Sequence, residues 1–218
     1  MAAKSVLAGA SLEELRKNPA IPYDLDEVTR VIDDAVNEPV YQKIKNWSVA
    51  DLREFILDDS TTDAEIRRVS RGLTSEMVAA TAKLMSNLDL IHGASKIRVT
   101  AHANTEIGKP GTLAARLQPN HPTDSVEGML ASLREGLTYG VGDAVIGINP
   151  VEDNVENTTR MLKATRDFMD EWKVPTQNCV LAHVTTQMKA VQEGAPSDLI
   201  FQSLAGSGAG NQSFGIDA

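Results

Sequence analysis

Arg116, Gln118, Asn149, His183, Gln202 and Ser203 stand in or at the ends of four short apolar runs. Together they offer hydrogen-bonding chemistry: a permanent cation, three side-chain amides, an imidazole and a hydroxyl. The runs read LAARLQPN (113–120), AVIGINP (144–150), VLAHVT (180–185) and LIFQS (199–203). Arg116 and Gln118 are two apart on a predicted strand, so period-two geometry puts them on one face. Each polar residue also has a plain structural use. Arg116 suits an ion pair, Asn149 suits a cap or turn ahead of Pro150, and Gln202 with Ser203 suits a turn. Six polar groups at comparable places nevertheless suggest a site.

The reactive groups of common mechanisms are missing from that set. His92, His102, His121 and His183 fall on different predicted elements, and no two are three or four apart, so no metal-ligand spacing exists. Ser203 lacks the GxSxG elbow of a hydrolase nucleophile. Cys179 reads as a core residue at a strand start, away from the reactive end. No residue is assigned as a catalytic acid, base or nucleophile, and none as a metal ligand. Polar anchors without a nucleophile suit an enzyme whose cofactor does the hard chemistry. No GxGxxG or GxxxxGK[ST] phosphate loop occurs. The small-residue stretch Gly206–Gly210 follows an apolar run but carries no basic residue, and reads as a flexible loop.

The elements that must position these residues alternate. Helical segments separate the four runs, which is the rhythm of a parallel sheet covered by helices. In such folds the strand C-termini form the reactive face. Residues 113–118, 144–149, 180–185 and 199–203 are therefore expected to be neighbouring parallel strands in that order, joined by right-handed crossovers. Thr123-Asp124-Ser125 caps a helix before Leu130, Leu133 and Leu137, Asp153 or Asn154 caps the next, and Thr186–Gln192 forms a short third one ended by Gly194. Ile97, Val99 and Ala101 alternate as in a half-buried strand, followed by a loop at Gly108–Gly111. Residues 1–96 read as a helical N-terminal region. Ser11 and Glu14 form a capping box, Asp24 or Asp26 caps a second helix that stops before Pro39, and Ser48 starts a third. Thr62–Arg71 is a charged surface helix, and Thr74–Leu90 is a longer one with Met77, Val78, Thr81, Leu84, Met85 and Leu88 on one face.

Composition bounds the function classes. The 218 residues are 42% hydrophobic but 4% aromatic, so the core must be mostly aliphatic. A formal net charge of −9 argues against nucleic acid or an anionic membrane as main partner. No stretch approaches the roughly 20 apolar residues of a membrane span, and the N-terminus lacks the apolar core of a secretory signal. With Cys179 as the single cysteine, no internal disulfide is possible. These features fit a cytoplasmic protein.

The blocks RLQPNHPTD, GDAVIGINP, CVLAHVTTQ and GAPSDLIFQSLAGS closely resemble the large (heavy) subunit of ethanolamine ammonia-lyase. The resemblance covers nearly all of residues 96–218 in order, and the helical region more loosely. It implies a carbon–nitrogen lyase that uses adenosylcobalamin, with cobalt held in the corrin, to convert ethanolamine into acetaldehyde and ammonia by a radical rearrangement. It implies an α/β fold: a helical N-terminal region (1–96) and then the first half of a TIM (β/α)8 barrel (97–218), about four βα units, truncated. It implies a small (light) subunit as partner, further large subunits in a hetero-oligomer, and possible enclosure in a bacterial microcompartment. Carried over residue by residue, Arg116, Gln118 and Asn149 bind substrate, Pro150 and Gln202 contact the cobalamin, and Phe201 and Ser203 line the pocket. The acidic residues that pair with the ammonium group in the family are expected from later barrel strands, which this sequence does not include. A half-barrel exposes two sheet edges, so the chain alone is expected to be inactive. Two other readings stay open: a non-catalytic assembly piece, and an aldolase-like barrel. The latter needs a Schiff-base lysine at a strand end, and Lys189 lies beyond a strand, on a predicted helix.

Overall fold

A computed structural model describes residues 2–216, which form two units: residues 2–98 with 204–216, and Val99–Ser203. The first unit is helical. It contains α1 (Ala2–Gly9), α2 (Leu12–Lys17), a 3-10 turn at Tyr23–Leu25, α3 (Glu27–Asp34), α4 (Glu38–Ile44), α5 (Val49–Leu57), α6 (Asp63–Ser70), α7 (Ser75–Leu84) and α8 (Asn87–Lys96). Capping boxes open five of these helices, pairing Ser11 with Glu14, Ser48 with Asp51, Thr62 with Glu65, Thr74 with Met77 and Ser86 with Asp89. Each satisfies backbone N–H groups that a helix start leaves orphaned, worth about 1 kcal/mol per cap. Asp26 caps α3, and α4 accommodates Pro39 in its first turn, where no N–H is missed. Leu12, Tyr41, Ile44, Leu52, Val69 and Met77 meet in the core of this unit.

The single helix expected over Thr74–Leu90 is two. Met85 is extended, with φ −77° and ψ 142°, and Ser86 starts α8 by accepting from the Asp89 amide while Asp89 Oδ2 accepts from the Ser86 amide. The break rephases the apolar stripe. Met77, Ala80 and Thr81 are buried, whereas Val78 is 50% and Leu88 77% exposed. The Gly206–Gly210 stretch also differs from expectation. Ser207 caps a six-residue helix, Gly208–Ser213, and Asp26 Oδ1 accepts from the Gly208 amide at 2.8 Å.

The second unit is mixed α/β. Two-residue strands β1 (Ala101–His102) and β2 (Glu106–Ile107) pair antiparallel. Of the longer strand expected from Ile97 only Ala101–His102 pairs; Gly108, at φ +90°, follows β2 and lies close to the Val99 carbonyl. The main sheet has three strands in the order β3 (Arg116–Leu117), β4 (Val145–Ile148), β5 (Asn178–Val180), all parallel. Helix α9 (Val126–Thr138) follows β3, α10 (Val155–Trp172) follows β4, and α11 (Val184–Gln192) follows β5. Ser125, Asn154 and His183 cap the three helices. The strands are shorter than their apolar runs: Leu113 is 98% exposed, and the third run pairs from Asn178 rather than Val180.

Three of the four expected strands are thus parallel neighbours, and residues 199–203 form no strand among the described residues. Side chains take over there. The Leu199 amide donates to the Asn178 carbonyl at 3.1 Å, as a ladder would. Beyond it Gln187 takes both backbone groups of Phe201, accepting from its amide at 3.1 Å and donating to its carbonyl. Gln202 Oε1 accepts from the Val184 amide at 2.8 Å. With Phe201 satisfied by Gln187, its backbone has no groups left for ladder bonds.

Register assigns the two sheet faces. Ile146, Ile148 and Val180 face the helices and pack with Met129 and Leu133 of α9 and Met161, Leu162, Phe168 and Met169 of α10. Each such fully buried side chain contributes about 1.5–3 kcal/mol. Arg116 pairs with Val145, and Gly147 with Cys179, so alternation puts these four on the opposite face. Among the described residues no helix is long and apolar enough to cross a membrane.

Candidate functional site

Arg116 leans across the sheet onto β4. The Nε–Nη2 edge of its guanidinium lies against Gly147: a Cβ at that position would come within 2.6 Å of Nε and 2.8 Å of Cζ. The guanidinium carbon also stands 4.3 Å from the centroid of the Phe201 ring. Nε and Nη2 are buried and have no hydrogen-bond partner, and among the described residues no carboxylate pairs with this arginine. Buried donors on a cation are costly when left unmet. Two of them on one arginine are therefore the strongest indication of a ligand position in this unit. Cys179 shares the face and is buried. Burial pushes its thiol up, and the Arg116 charge offsets part of that rise, leaving a protonated thiol rather than a nucleophile. Its place is mid-strand, opposite Gly147, not the strand start expected from sequence.

Gln118 and Asn149 close the ends of their strands side by side. The Asn149 amide donates to the Pro119 carbonyl at 3.1 Å, which ties the end of β4 to the segment after β3. Gln118 is exposed, and Asn149 and Pro150 are half-buried. Among the described residues neither side-chain amide has a hydrogen-bond partner.

A buried carboxylate fixes the turn after Pro150. Asp124, in the left-handed region at φ 50°, accepts from the Val151 amide at 2.9 and 3.1 Å and from the Glu152 amide at 2.9 Å. Asn157 Nδ2 adds a bond at 2.8 Å, and Arg160 Nη2 donates to the Asp124 carbonyl at 3.0 Å. Burial raises the Asp124 carboxyl, but the two amides, Asn157 and the Arg160 charge outweigh it and hold it below the usual carboxylate range. Sequence reasoning treated Asp124 only as part of a helix start. Its one signal was an aspartate directly before the capping serine.

Gln202 is half-buried and Ser203 exposed. Gln202 spends Oε1 on Val184 and one N–H on the Ser203 carbonyl, at 3.0 Å, leaving its second N–H and the Ser203 hydroxyl for a ligand. His183, the remaining member of the six, serves the backbone: its ring Nδ1 accepts from the Thr185 amide as the cap of α11, and its own amide donates to Asp153 at 2.7 Å. Gly147 and Gln187 were not singled out from sequence. A glycine alternating with apolar residues inside a strand was the available sign of a close approach.

The helical unit has a separate cleft of about 860 Å³, lined by residues including Arg16, Tyr23, Asp33, Glu38 and Tyr41. Its charges satisfy one another. Arg16 is paired with Asp33 at 2.7 Å and Glu38 at 2.8 Å and lies 4.3 Å over the Tyr41 ring. Among the described residues no cluster of His, Cys, Asp and Glu is arranged to hold a bare metal ion.

The family described as "Ethanolamine ammonia lyase large subunit (EutB)" matches residues 1–218. The ethanolamine ammonia-lyase large subunit of Escherichia coli (strain K12) is 53% identical over 217 residues, covering 100% of this chain and 48% of that protein. The same subunit from Salmonella typhimurium is 52% identical over 217 residues, with the same coverage. The chain thus spans about half the length of the curated relatives it matches. A match over its whole length, at this identity, means that the chain belongs to the ethanolamine ammonia-lyase large subunit family.

Proposed function

We propose that this chain carries the substrate-oxygen anchors of an adenosylcobalamin-dependent lyase that converts ethanolamine into acetaldehyde and ammonia. The carrying observation is the Arg116 guanidinium, with two buried donors and no partner. In this reading β3, β4 and β5 are the first strands of a TIM barrel whose first half occupies residues 97–218, and residues 1–96 form the helical region before it. Arg116 and Asn149 donate hydrogen bonds to the substrate hydroxyl oxygen, and Gln118 accepts from the ammonium group through its amide oxygen. A charged, planar donor fork is well matched to an oxygen that must stay fixed while the neighbouring amino group migrates. The anchors act by positioning, which suits a site with no nucleophile of its own.

The residues present fit the cofactor. The free N–H of Gln202, the Ser203 hydroxyl and the half-buried Pro150 form a neutral, mildly polar set suited to an amide-rimmed corrin. What adenosylcobalamin supplies when bound is radical generation. Pro150 and Gln202 contact it, while Phe201 and Ser203 line the pocket. A small subunit and further large subunits complete the assembly, in the cytoplasm or within a bacterial microcompartment.

The test is reconstitution. The complete large subunit carrying this sequence, assembled with its small subunit and adenosylcobalamin, is expected to release ammonia and acetaldehyde from ethanolamine. Gln118→Ala and Asn149→Ala are each expected to reduce turnover. An assembled, cobalamin-loaded enzyme that leaves ethanolamine untouched would refute the reading. The 218-residue chain alone is expected to release no ammonia, because it spans about half of its relatives' length and the carboxylates expected to pair with the ammonium group belong to later barrel strands. Retained assembly without turnover would match the structural half of that expectation, and measurable turnover would overturn it.

A further inference from the structure

We infer that Phe201, held by Gln187 and stacked on Arg116, is a positioning residue that fixes the plane in which Arg116 presents its donors. The inference rests on the reading of Arg116 as a substrate anchor. An arginine is normally fixed by a carboxylate, and none of the described residues supplies one here. Its flexible stem would otherwise let the guanidinium rotate and swing.

Two neighbours stand in for the carboxylate. The Nε–Nη2 edge lies against Gly147, where a Cβ would come within 2.6 Å of Nε. The Phe201 ring stacks on the guanidinium, 4.3 Å from Cζ. A cation stacked on an aromatic face gains electrostatic attraction without using its N–H groups. Nε and Nη2 stay unpaired and directed within the plane of the group. The ring itself needs holding, since its segment has no strand ladder. Gln187, 1% exposed, supplies this by taking both the amide and the carbonyl of Phe201. The chain of control therefore runs from α11 through Phe201 to the guanidinium.

The experiment uses the complete enzyme with its small subunit and adenosylcobalamin, and reads kcat, KM and thermal stability together. Phe201→Leu is expected to lower kcat roughly tenfold, with a smaller change in KM and little change in Tm. Phe201→Tyr, which keeps the ring, is expected to recover most of that loss. In the Arg116→Ala background, Phe201→Leu is expected to cost almost nothing further, because residues acting through one group are non-additive. If Phe201→Leu does not fold, Phe201→Met, closer in volume, takes its place in the same cycle. Undiminished kcat per folded molecule in the ring-less variant overturns the inference, and so does a full additional loss in the Arg116→Ala background. If instead Arg116→Ala itself turns over like the parent, the substrate-anchor reading has failed, and the two failures are thereby distinguished.

Discussion

The Arg116 guanidinium stacks on the Phe201 ring, 4.3 Å away, and sets its Nε–Nη2 edge against Gly147, and neither neighbour accepts a hydrogen bond from it. That leaves the donors to a ligand. Arg116→Ala in the complete enzyme should remove a charge-assisted hydrogen bond worth about 1.5–3 kcal/mol, or roughly ten- to a hundred-fold in kcat/KM. Arg116→Lys should recover only part, since an ammonium cannot reproduce the planar fork. Free guanidinium should restore some activity to the Ala variant by refilling the gap. Kinetics and melting measured on one preparation decide the matter. A lower Tm with unchanged turnover per folded molecule would assign Arg116 to structure instead.

Gly147→Ala separates function from stability in the opposite direction. The new methyl collides with the far end of a flexible side chain, not with backbone. The guanidinium is expected to swing aside, so urea unfolding should show a loss under about 1 kcal/mol, less than rigid overpacking would cost. Turnover should fall as far as in Arg116→Ala. Equal activity in parent and variant would mean that the stacked geometry is not the working one.

The split between α7 and α8 gives a stability contrast. Leu133, 0% exposed between α9 and the sheet, should cost about 2–5 kcal/mol when cut to Ala. Leu88, in the first turn of α8 and 77% exposed, should cost no more than about 0.5 kcal/mol. Had Leu88 continued the stripe of Met77 and Thr81, its truncation would rank with Leu133. Denaturant midpoints for the two variants test this directly.

The contrast also shows where sequence reading reaches its limit. The strand–helix alternation, the Ser11–Glu14 capping box, the helix starts at Ser48 and Thr62, a cap within Thr123–Ser125, another at Asp153 or Asn154, and the placing of Arg116 on a strand were legible, because apolar periodicity and capping chemistry are local. The break at Met85–Ser86 was not. Continuous apolar spacing outweighed a serine–aspartate cap whose sign is equally local. The segment 199–203 was misread as a strand because its pairing is usurped by Gln187, a residue distant in sequence. Gly147 and Asp124 escaped notice for the same reason. Their roles lie in what comes to rest against them, Arg116 in one case and the Val151 and Glu152 amides in the other.

Asp124 yields the last prediction, a pH dependence. Its carboxylate grips the turn that follows Asn149 and Pro150, so its protonation loosens the loop beside the proposed site. The folded-state pKa lies below the ordinary value, despite burial, because two amides and Asn157 donate to the charged form. A depressed carboxylate contributes stability that is fully present above its unfolded pKa, about 3.9, and is lost as pH falls through the folded pKa. Asp124→Asn keeps an oxygen for one amide and tolerates the positive φ, but it loses the charge and turns an N–H₂ toward another amide. At pH 7 the variant should be less stable by about 1.5–3 kcal/mol, the scale of hydrogen bonds to a charged group. The gap should shrink as the pH falls below about 4, where the unfolded parent's carboxylate begins to protonate while the folded one stays ionised to lower pH. Urea unfolding of both proteins at pH 7, 5, 4 and 3 gives the difference curve, in which the other carboxylates cancel. A gap that stays constant down to pH 3 would show that the Asp124 charge contributes nothing to holding the loop.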